Sequence, residues 1–350
     1  MSNIFKTKWQ KFFKRYIVDA SSSMALGVFA SLIIGLIFEQ IAKLFPLEVF
    51  NIIISVLSAN SPVIGAAIGA AIAYKLECKP QTLFAAVVAG AIGYKYSGPV
   101  GAYFATLAAT ETGKLVAGKT SFDILLVPFV ALSSAGLTTW LLTPPILASI
   151  NALQSFLETS TLLMPIPMGI IISTVFGLVL TAPISSAALA AVIFTTVDGS
   201  PLSQGLQLAA GAATVGCCCQ MVGFAVASYR ENKLPGLIVQ GIGTSMLQFG
   251  NIMAKPIIWL PPTITSAILG IFSTTLFKMK NASAAAGMGT SGLVGQIGTI
   301  TTMQSEGIVI VLIKILIIQI ILPAIITLLI SEFMRKKNWI KFGDMKLDLK

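Results

Sequence analysis

The chain contains no histidine, and its 350 residues include only 13 acidic and 23 basic side chains. Without imidazole, His-based acid–base catalysis is excluded, and so is any zinc site that needs a histidine ligand. Cysteine is scarce too, at four residues. Cys217, Cys218 and Cys219 are consecutive in an apolar run, where Cys behaves as a small packing residue, and Cys78 lies in a short basic stretch. That spacing forms neither a disulfide framework nor a metal motif. No cofactor and no metal is expected. Charged residues are 10% of the chain, against about 25% in soluble domains.

Apolar sequence takes their place. Hydrophobic residues make up 55% of the chain, and the mean hydropathy is +0.89. Runs of about 20 apolar residues recur from end to end, too many and too long for a signal peptide followed by a soluble domain. The chain therefore reads as a single membrane domain, 1–350. Its net charge of +10 gathers at the ends, with Lys6, Lys8, Lys11, Lys14 and Arg15 at one and Arg335, Lys336, Lys337, Lys341, Lys346 and Lys350 at the other. This is the positive-inside signature, with both termini cytoplasmic and an even number of full crossings. Such basic ends attract anionic membrane lipids, and no motif for a nucleic-acid partner accompanies them.

Along the chain, residues 3–16 place Phe5, Trp9, Phe12 and Tyr16 on one helical face, an interfacial amphipathic helix. Spans are predicted near 21–38, 50–74, 122–142, 162–181, 183–196, 205–228, 236–254, 262–277, 283–303 and 307–333. The short segments 81–94 and 98–113 form a hairpin that enters from the cytoplasm and returns. Ser58-Ala59-Asn60-Ser61-Pro62 interrupts the second span, and backbone freed in this way is tolerated only against protein or a cavity. Beyond it, Gly65, Gly69 and Ala73 form a stripe for close helix packing. Counting back from a cytoplasmic C-terminus puts Arg230, Lys233, Lys278 and Lys280 inside, residues 143–161 in an external loop, and Lys255 outside as an exception.

The stretch Ser97–Lys119, SGPVGAYFATLAATETGKLVAGK, carries the carboxylate Glu111 between Thr110 and Thr112. An ionisable group at membrane depth costs about 2.5–3.5 kcal/mol on insertion scales and by default marks function. Two readings stay open: Glu111 faces a central cavity, or it lies at the membrane edge and pairs with Lys114, three residues on. The second candidate stretch begins at Asn281, which suits a helix N-cap. Gly287, Gly289, Thr290, Ser291 and Gly292 then weaken the helix and expose amides and hydroxyls, although close packing explains the small residues equally well.

A shift of 182 residues aligns several features. Pro80 falls on Pro262, Lys95 beside Lys278, and Gly113 on Gly295; with slippage, the break at Asn60 falls on Gln248-Phe249-Gly250-Asn251. The matched elements have opposite orientations by charge. The expected fold is therefore an all-α polytopic membrane protein of about ten transmembrane helices plus short re-entrant or half-helix hairpins. It forms an inverted-topology repeat of two five-element halves, 16–146 and 203–335, with 1–15 interfacial, 147–202 as linking spans and 336–350 as a basic tail. Transporters of this design bind solute near the midplane, between interrupted helices. The candidate solute-binding residues are Glu111, Asn60, Thr110, Gln248, Asn251, Thr290 and Ser291.

The stretches GPVGAYFATLAATETGKLVAGKTSFDILLVP, GIGTSMLQFGNI and NASAAAGMGTSGLVGQIGT resemble the bacterial phosphotransferase-system EIIC-like membrane proteins, a group also labelled the perfringolysin O (toxin biosynthesis) regulator family. The likeness covers essentially the whole chain. It implies a sugar-permease-like protein of the bacterial inner membrane and a homodimer. Sugar EIIC proteins often pair a substrate-contacting Glu with a His, which this chain lacks, and no EIIA or EIIB domain is fused to it. Phosphoryl coupling would come from separate cytoplasmic EIIA and EIIB proteins. Three functions follow: a permease for a small polar solute such as a sugar, phosphoryl- or ion-coupled; a non-transporting sensor or regulator of toxin or metabolic gene expression; and a channel.

Overall fold

A computed structural model describes residues 12–45, 47–57, 61–182, 185–196 and 200–347. The regular structure is helical, with no strand among the described residues. Four of the described helices are long and apolar enough to cross a membrane: Asp123–Leu163, Gln204–Ala227, Pro256–Thr274 and Ile308–Lys336. The chain is an all-α membrane protein. It forms two compact units, Met1–Leu153 with Thr195–Pro201 and Gln154–Phe194 with Leu202–Lys350. Most of the expected interfacial helix 3–16 lies outside the described residues; Phe13–Asp19 is a π-helical turn.

The first unit contains α1 (Ala20–Val28), α2 (Ile34–Leu44), α3 (Glu48–Val56), α4 (Pro62–Lys75) and α5 (Pro80–Val116). Ser61 caps α4 by accepting the Val63 amide at 3.3 Å, with Pro62 as its first residue. Gly65 and Gly69 press α4 onto α5: an added Cβ would meet Gly90 O at 2.4 Å and Ala86 O at 2.3 Å. The small-residue stripe is therefore a backbone-to-backbone contact.

The element α5 is the predicted hairpin. It reverses at Ser97 (φ −146°) and Gly98 (φ +61°, ψ −151°), and Pro99 opens the return arm. Only glycine adopts the Gly98 geometry without strain. Gly93 and Gly101 face each other across the reversal, and Ala85, Ala89, Ala105 and Ala109 pack together with Ala131 and Ala135. At the open end, Lys114 donates to Leu76 O at 2.6 Å and Lys79 to Ala117 O at 3.4 Å, so both arms start and finish at one basic end.

The helix α6 (Asp123–Leu163) begins where Asp123 accepts the Thr120 amide at 3.1 Å and the Thr120 hydroxyl at 2.8 Å. It continues for 41 residues, through Pro144 and Pro145 and through the external loop expected over 143–161. No glycine falls between Leu137 and Leu163 to stop it. At 1.5 Å per residue it is about 60 Å long, roughly twice the hydrocarbon thickness.

The second unit is built on α9 (Gln204–Ala227), preceded by α7 (Pro165–Thr181) and α8 (Ser186–Ile193). The most apolar window of α9 is 94% buried, against 22% for that of α6, so α9 is the core and α6 largely a lipid-facing helix. Around it pack α7, α12 (Leu260–Thr274) and α15 (Leu322–Lys336); α10 (Tyr229–Ile238), α11 (Phe249–Ala254), α13 (Val294–Thr302) and α14 (Ile308–Ile315) complete the unit. Contact is close because glycine faces backbone: a Cβ on Gly216 would stand 1.8 Å from Ser173 O, and one on Gly270 2.2 Å from Gly169 O.

Two predicted spans are corrected. Residues 236–254 form no single helix but α10, a π-turn Val239–Gly243, a 3-10 turn Ser245–Gln248 and α11. Residues 283–303 are two 3-10 turns, Ser283–Gly287 and Ser291–Leu293, followed by α13. Charge counting also misplaced two loops. Lys255 is ion-paired with Asp344 of the C-terminal segment, and so lies at that end and not the opposite one. Residues 277–281 lie beside the start of α9, where the Asn281 amide donates to Gln207 O at 3.1 Å, a helix length from Arg230.

The reversal in α5 is the most exposed to test. A Cβ on Gly93 would stand 2.2 Å from Gly101 O, so Gly93→Val should destabilise by about 3 kcal/mol, the upper end for overpacking against backbone that cannot yield. Thermal melting in detergent reads this directly, and an unchanged midpoint would contradict the hairpin.

Candidate functional site

Non-helical backbone penetrates the second unit at two places. Past α12, the chain turns left-handed at Gly289 (φ +54°), Gly292 (φ +54°) and Leu293 (φ +61°). Gly289 lies so close to α9 that an added Cβ would be 2.8 Å from the Cys217 carbonyl carbon and 2.9 Å from the Cys218 amide. Cys217 is the fourteenth residue of a 24-residue helix, about 20 Å along it at 1.5 Å per residue. The glycine loop thus meets α9 near its middle. Opposite it, the Thr290 hydroxyl donates to Gly241 O at 2.5 Å, joining the loop to the π-turn Val239–Gly243. Ser291 is half-buried beside it.

Buried amides and hydroxyls surround these turns. Gln220, fully buried on α9, accepts from the Trp259 indole at 3.1 Å and the Thr181 hydroxyl at 3.2 Å, and donates to Thr263 at 3.2 Å. Asn281 does not cap a helix; its amide donates to the Thr214 hydroxyl at 2.8 Å and Gly295 O at 3.0 Å, tying the incoming loop to α9. Gln296 donates to Gln319 at 2.9 Å, which donates to Thr299 at 3.1 Å, while Gln296 Oε1 is buried with no partner. Gln319 enters through a π-helical stretch, Leu316–Ile321. Gln296 and Gln319 were missed in the sequence; the signal was an amide inside an apolar run, costly unless paired.

The candidate residues separate into groups. Thr290 and Ser291 sit in the mid-depth loop. Gln248 and Asn251 bond each other at 2.8 Å but serve the C-terminal segment: Gln248 donates to Met345 O and Asn251 to Lys346 O, both at 2.9 Å. In the first unit, the Thr110 hydroxyl is buried and donates to Leu107 O at 2.9 Å. Glu111 stands at the basic open end of the α5 hairpin, with 38% of its side chain exposed, and pairs with Arg15 at 3.1 Å and Lys114 at 3.5 Å. The Lys114 partnership is the one its spacing allowed. Asn60 lies outside the described residues. Among those residues, no cluster of acidic and cysteine side chains offers a metal site.

Two further features border the C-terminal segment. Arg335 and Glu231, with side chains 7% and 0% exposed, form a two-point ion pair at 2.8 and 3.1 Å, and Arg335 also donates to Ala227 O at 3.0 Å. Asp344 pairs with Lys255. Burial alone would raise the Asp344 pKa, but hydrogen bonds from Lys255 and the Lys341 amide, with the charges of Lys255 and Arg335, outweigh it and hold it below the ordinary 3.8. A depressed carboxyl contributes stability above its unfolded pKa and loses it only as pH falls through the lowered value. At neutral pH the segment is held.

The first unit also has a cleft of about 540 Å³, lined by Ile92, Tyr96, Thr139, Trp140, Thr143 and Pro144. Its lining is mainly apolar and lies on the lipid-facing helix α6, so it lacks the hydrogen-bonding density of the second unit's turns.

These features define a multi-pass, all-helical membrane protein with irregular backbone buried at mid-depth. A family model described as "Phosphotransferase system, EIIC" matches residues 18–347, and the chain belongs to that family. It is accordingly a permease component of the phosphotransferase system. Searches of curated proteins and of solved structures return no match.

Removing one member of a buried ion pair strands the other, at a cost of about 3–5 kcal/mol. Arg335→Leu should lower the unfolding free energy in denaturant titrations by that amount, whereas Arg15→Leu, whose pair with Glu111 is exposed, should change it by less than about 1 kcal/mol. Equal effects would contradict the burial difference.

Proposed function

We propose that this EIIC chain carries a sugar across the bacterial inner membrane by alternating access, with separate EIIA and EIIB proteins supplying the phosphoryl group on the cytoplasmic side. In this reading it has about ten transmembrane helices in two inverted halves, 16–146 and 203–335. Linking spans 147–202 join the halves, both termini are cytoplasmic, and two copies form a homodimer. The basic ends support the orientation, and the reversal at Gly98 and the turns after α12 support interrupted elements in both halves.

The observation that carries the solute path is the glycine loop Gly289–Gly292 seated against the middle of α9. Non-helical backbone at membrane depth is tolerated only in protein or beside a watery cavity, and carriers use such breaks to bind solute. A sugar offers hydroxyls that both donate and accept, matching the mixed amides, carbonyls and hydroxyls around Thr290, Ser291 and Gly241. We place Thr290 and Ser291 in the sugar path. Glu111 is proposed to act at the basic end, in a cluster with Arg15 and Lys114 that can change partners as the hairpin moves. Gln248 and Asn251 contribute by fixing the turn that faces the loop.

The test is phosphoryl-dependent uptake of a panel of labelled sugars in cells that also hold EIIA and EIIB. Thr290→Val and Ser291→Ala should each lower uptake of the transported sugar about tenfold, the loss of one hydrogen bond of about 1.4 kcal/mol. Wild-type rates in both variants would remove the loop from the path.

A further inference from the structure

The last described residues lie in a cradle that reads their main chain. Met345 O accepts from Asn232 at 2.8 Å and from Gln248 at 2.9 Å; Lys346 O accepts from Asn251 at 2.9 Å; the Leu347 amide donates to Asn232 Oδ1 at 2.8 Å. Asp344 pairs with Lys255, and the Gly343 amide donates to Glu231 at 3.4 Å. Met345 and Ile340 are buried in a cluster with Phe224, Ile252, Ile258 and Met334. An unanchored chain end usually frays; this one has two apolar anchors, accepts three main-chain hydrogen bonds from buried or half-buried side-chain amides and donates a fourth to one of them.

The cradle is also wired to the mid-depth loop. Gln248, which holds Met345 O, donates to Gln240 Oε1 at 2.9 Å. Gln240 lies within the π-turn and donates in turn to Ser228 and Gly236 O, each at 2.9 Å. The next residue, Gly241, accepts from Thr290. Behind Thr290, Gly289 covers Cys217 and Cys218, both fully buried. One side chain, Gln248, therefore joins the seated tail to Gln240 of the turn that bonds the glycine loop.

We infer that residues Gly343–Leu347 are a latch: seated, they fix the turn Val239–Gly243 over the glycine loop and close the route from the basic end; lifted, they free the turn to move. The geometry suits reversible release, because the hydrogen bonds are to backbone and the ion pair keeps part of its surface in solvent, with Lys255 31% and Asp344 19% exposed. The idea rests on the permease reading only for the route it controls.

The test needs no sugar. In membrane vesicles holding the full chain, N-ethylmaleimide modification of Cys217–Cys219 is followed by mass spectrometry, and a lysine-specific protease reports release of the tail at Lys346. Met345→Asp should release the tail and raise alkylation about tenfold, near the low end of measured couplings between sites. Asp344→Asn, which leaves the apolar anchors intact, should raise both by a smaller factor and serves where Met345→Asp does not yield folded protein. A tail cut readily at Lys346 while Cys217–Cys219 stay as slow to react as in wild type would overturn the latch. That outcome would leave the permease reading standing; absence of phosphoryl-dependent uptake of any sugar would remove that reading without touching the alkylation result.

Discussion

Every N–H and C=O inside a bilayer must find a partner within the protein, and the second unit depends on how it meets this demand where its helices stop. The break after α12 puts a run of turns against the middle of α9. Polar groups here are met across elements: Asn281 bonds Gly295 O of α13, Thr290 of the turns bonds Gly241 O, and Ser186 of α8 bonds Gly287 O at 2.6 Å. Glycine makes this possible, because Gly289 and Gly287 approach backbone at distances no side chain permits. A helix through the same residues would need no such partners. The turns are the costlier arrangement and stand only because those partners are in place.

The two units answer the same constraint differently. In the first, α5 is interrupted by a reversal at Ser97–Gly98, and the rest of α5 remains helical and packs through alanine and glycine. Hydroxyls of that hairpin bond their own helix or the neighbouring α6: Thr110 bonds Leu107 O, Thr112 bonds Ala108 O at 2.7 Å and Ser134 at 2.7 Å, and Ser97 bonds Thr143 at 3.1 Å. In the second, amides from α9, α10, α11 and α13 form networks that cross between elements. The α5 hairpin of the first is held instead by close packing around its bend.

Local features of the fold were legible in the sequence. The short segments 81–94 and 98–113 announced the reversal, Gly65 and Gly69 the tight contact, and the recurrent apolar runs the membrane class. What could not be read was set by distance along the chain. Gln248 and Asn251 looked like free amides in a break, yet they bond carbonyls about a hundred residues away in a tail that reads only as a basic end. Lys255 was assigned by charge parity, which counts charges but cannot see Asp344 beside it. Glu111 posed the opposite problem: Lys114 was visible as a partner three residues on, but Arg15, 96 residues earlier, was not. The extent of α6 was hidden by Pro144-Pro145, a pair that normally argues for a loop.

The central claim is that the glycine loop lines a water-filled route through the second unit. It is tested most directly by Ser291→Cys, using a membrane-impermeant thiol reagent applied separately to right-side-out and inside-out vesicles. The account predicts labelling from each side in turn, slowed by the transported sugar. A thiol at position 291 that stays unreactive from both sides would contradict it.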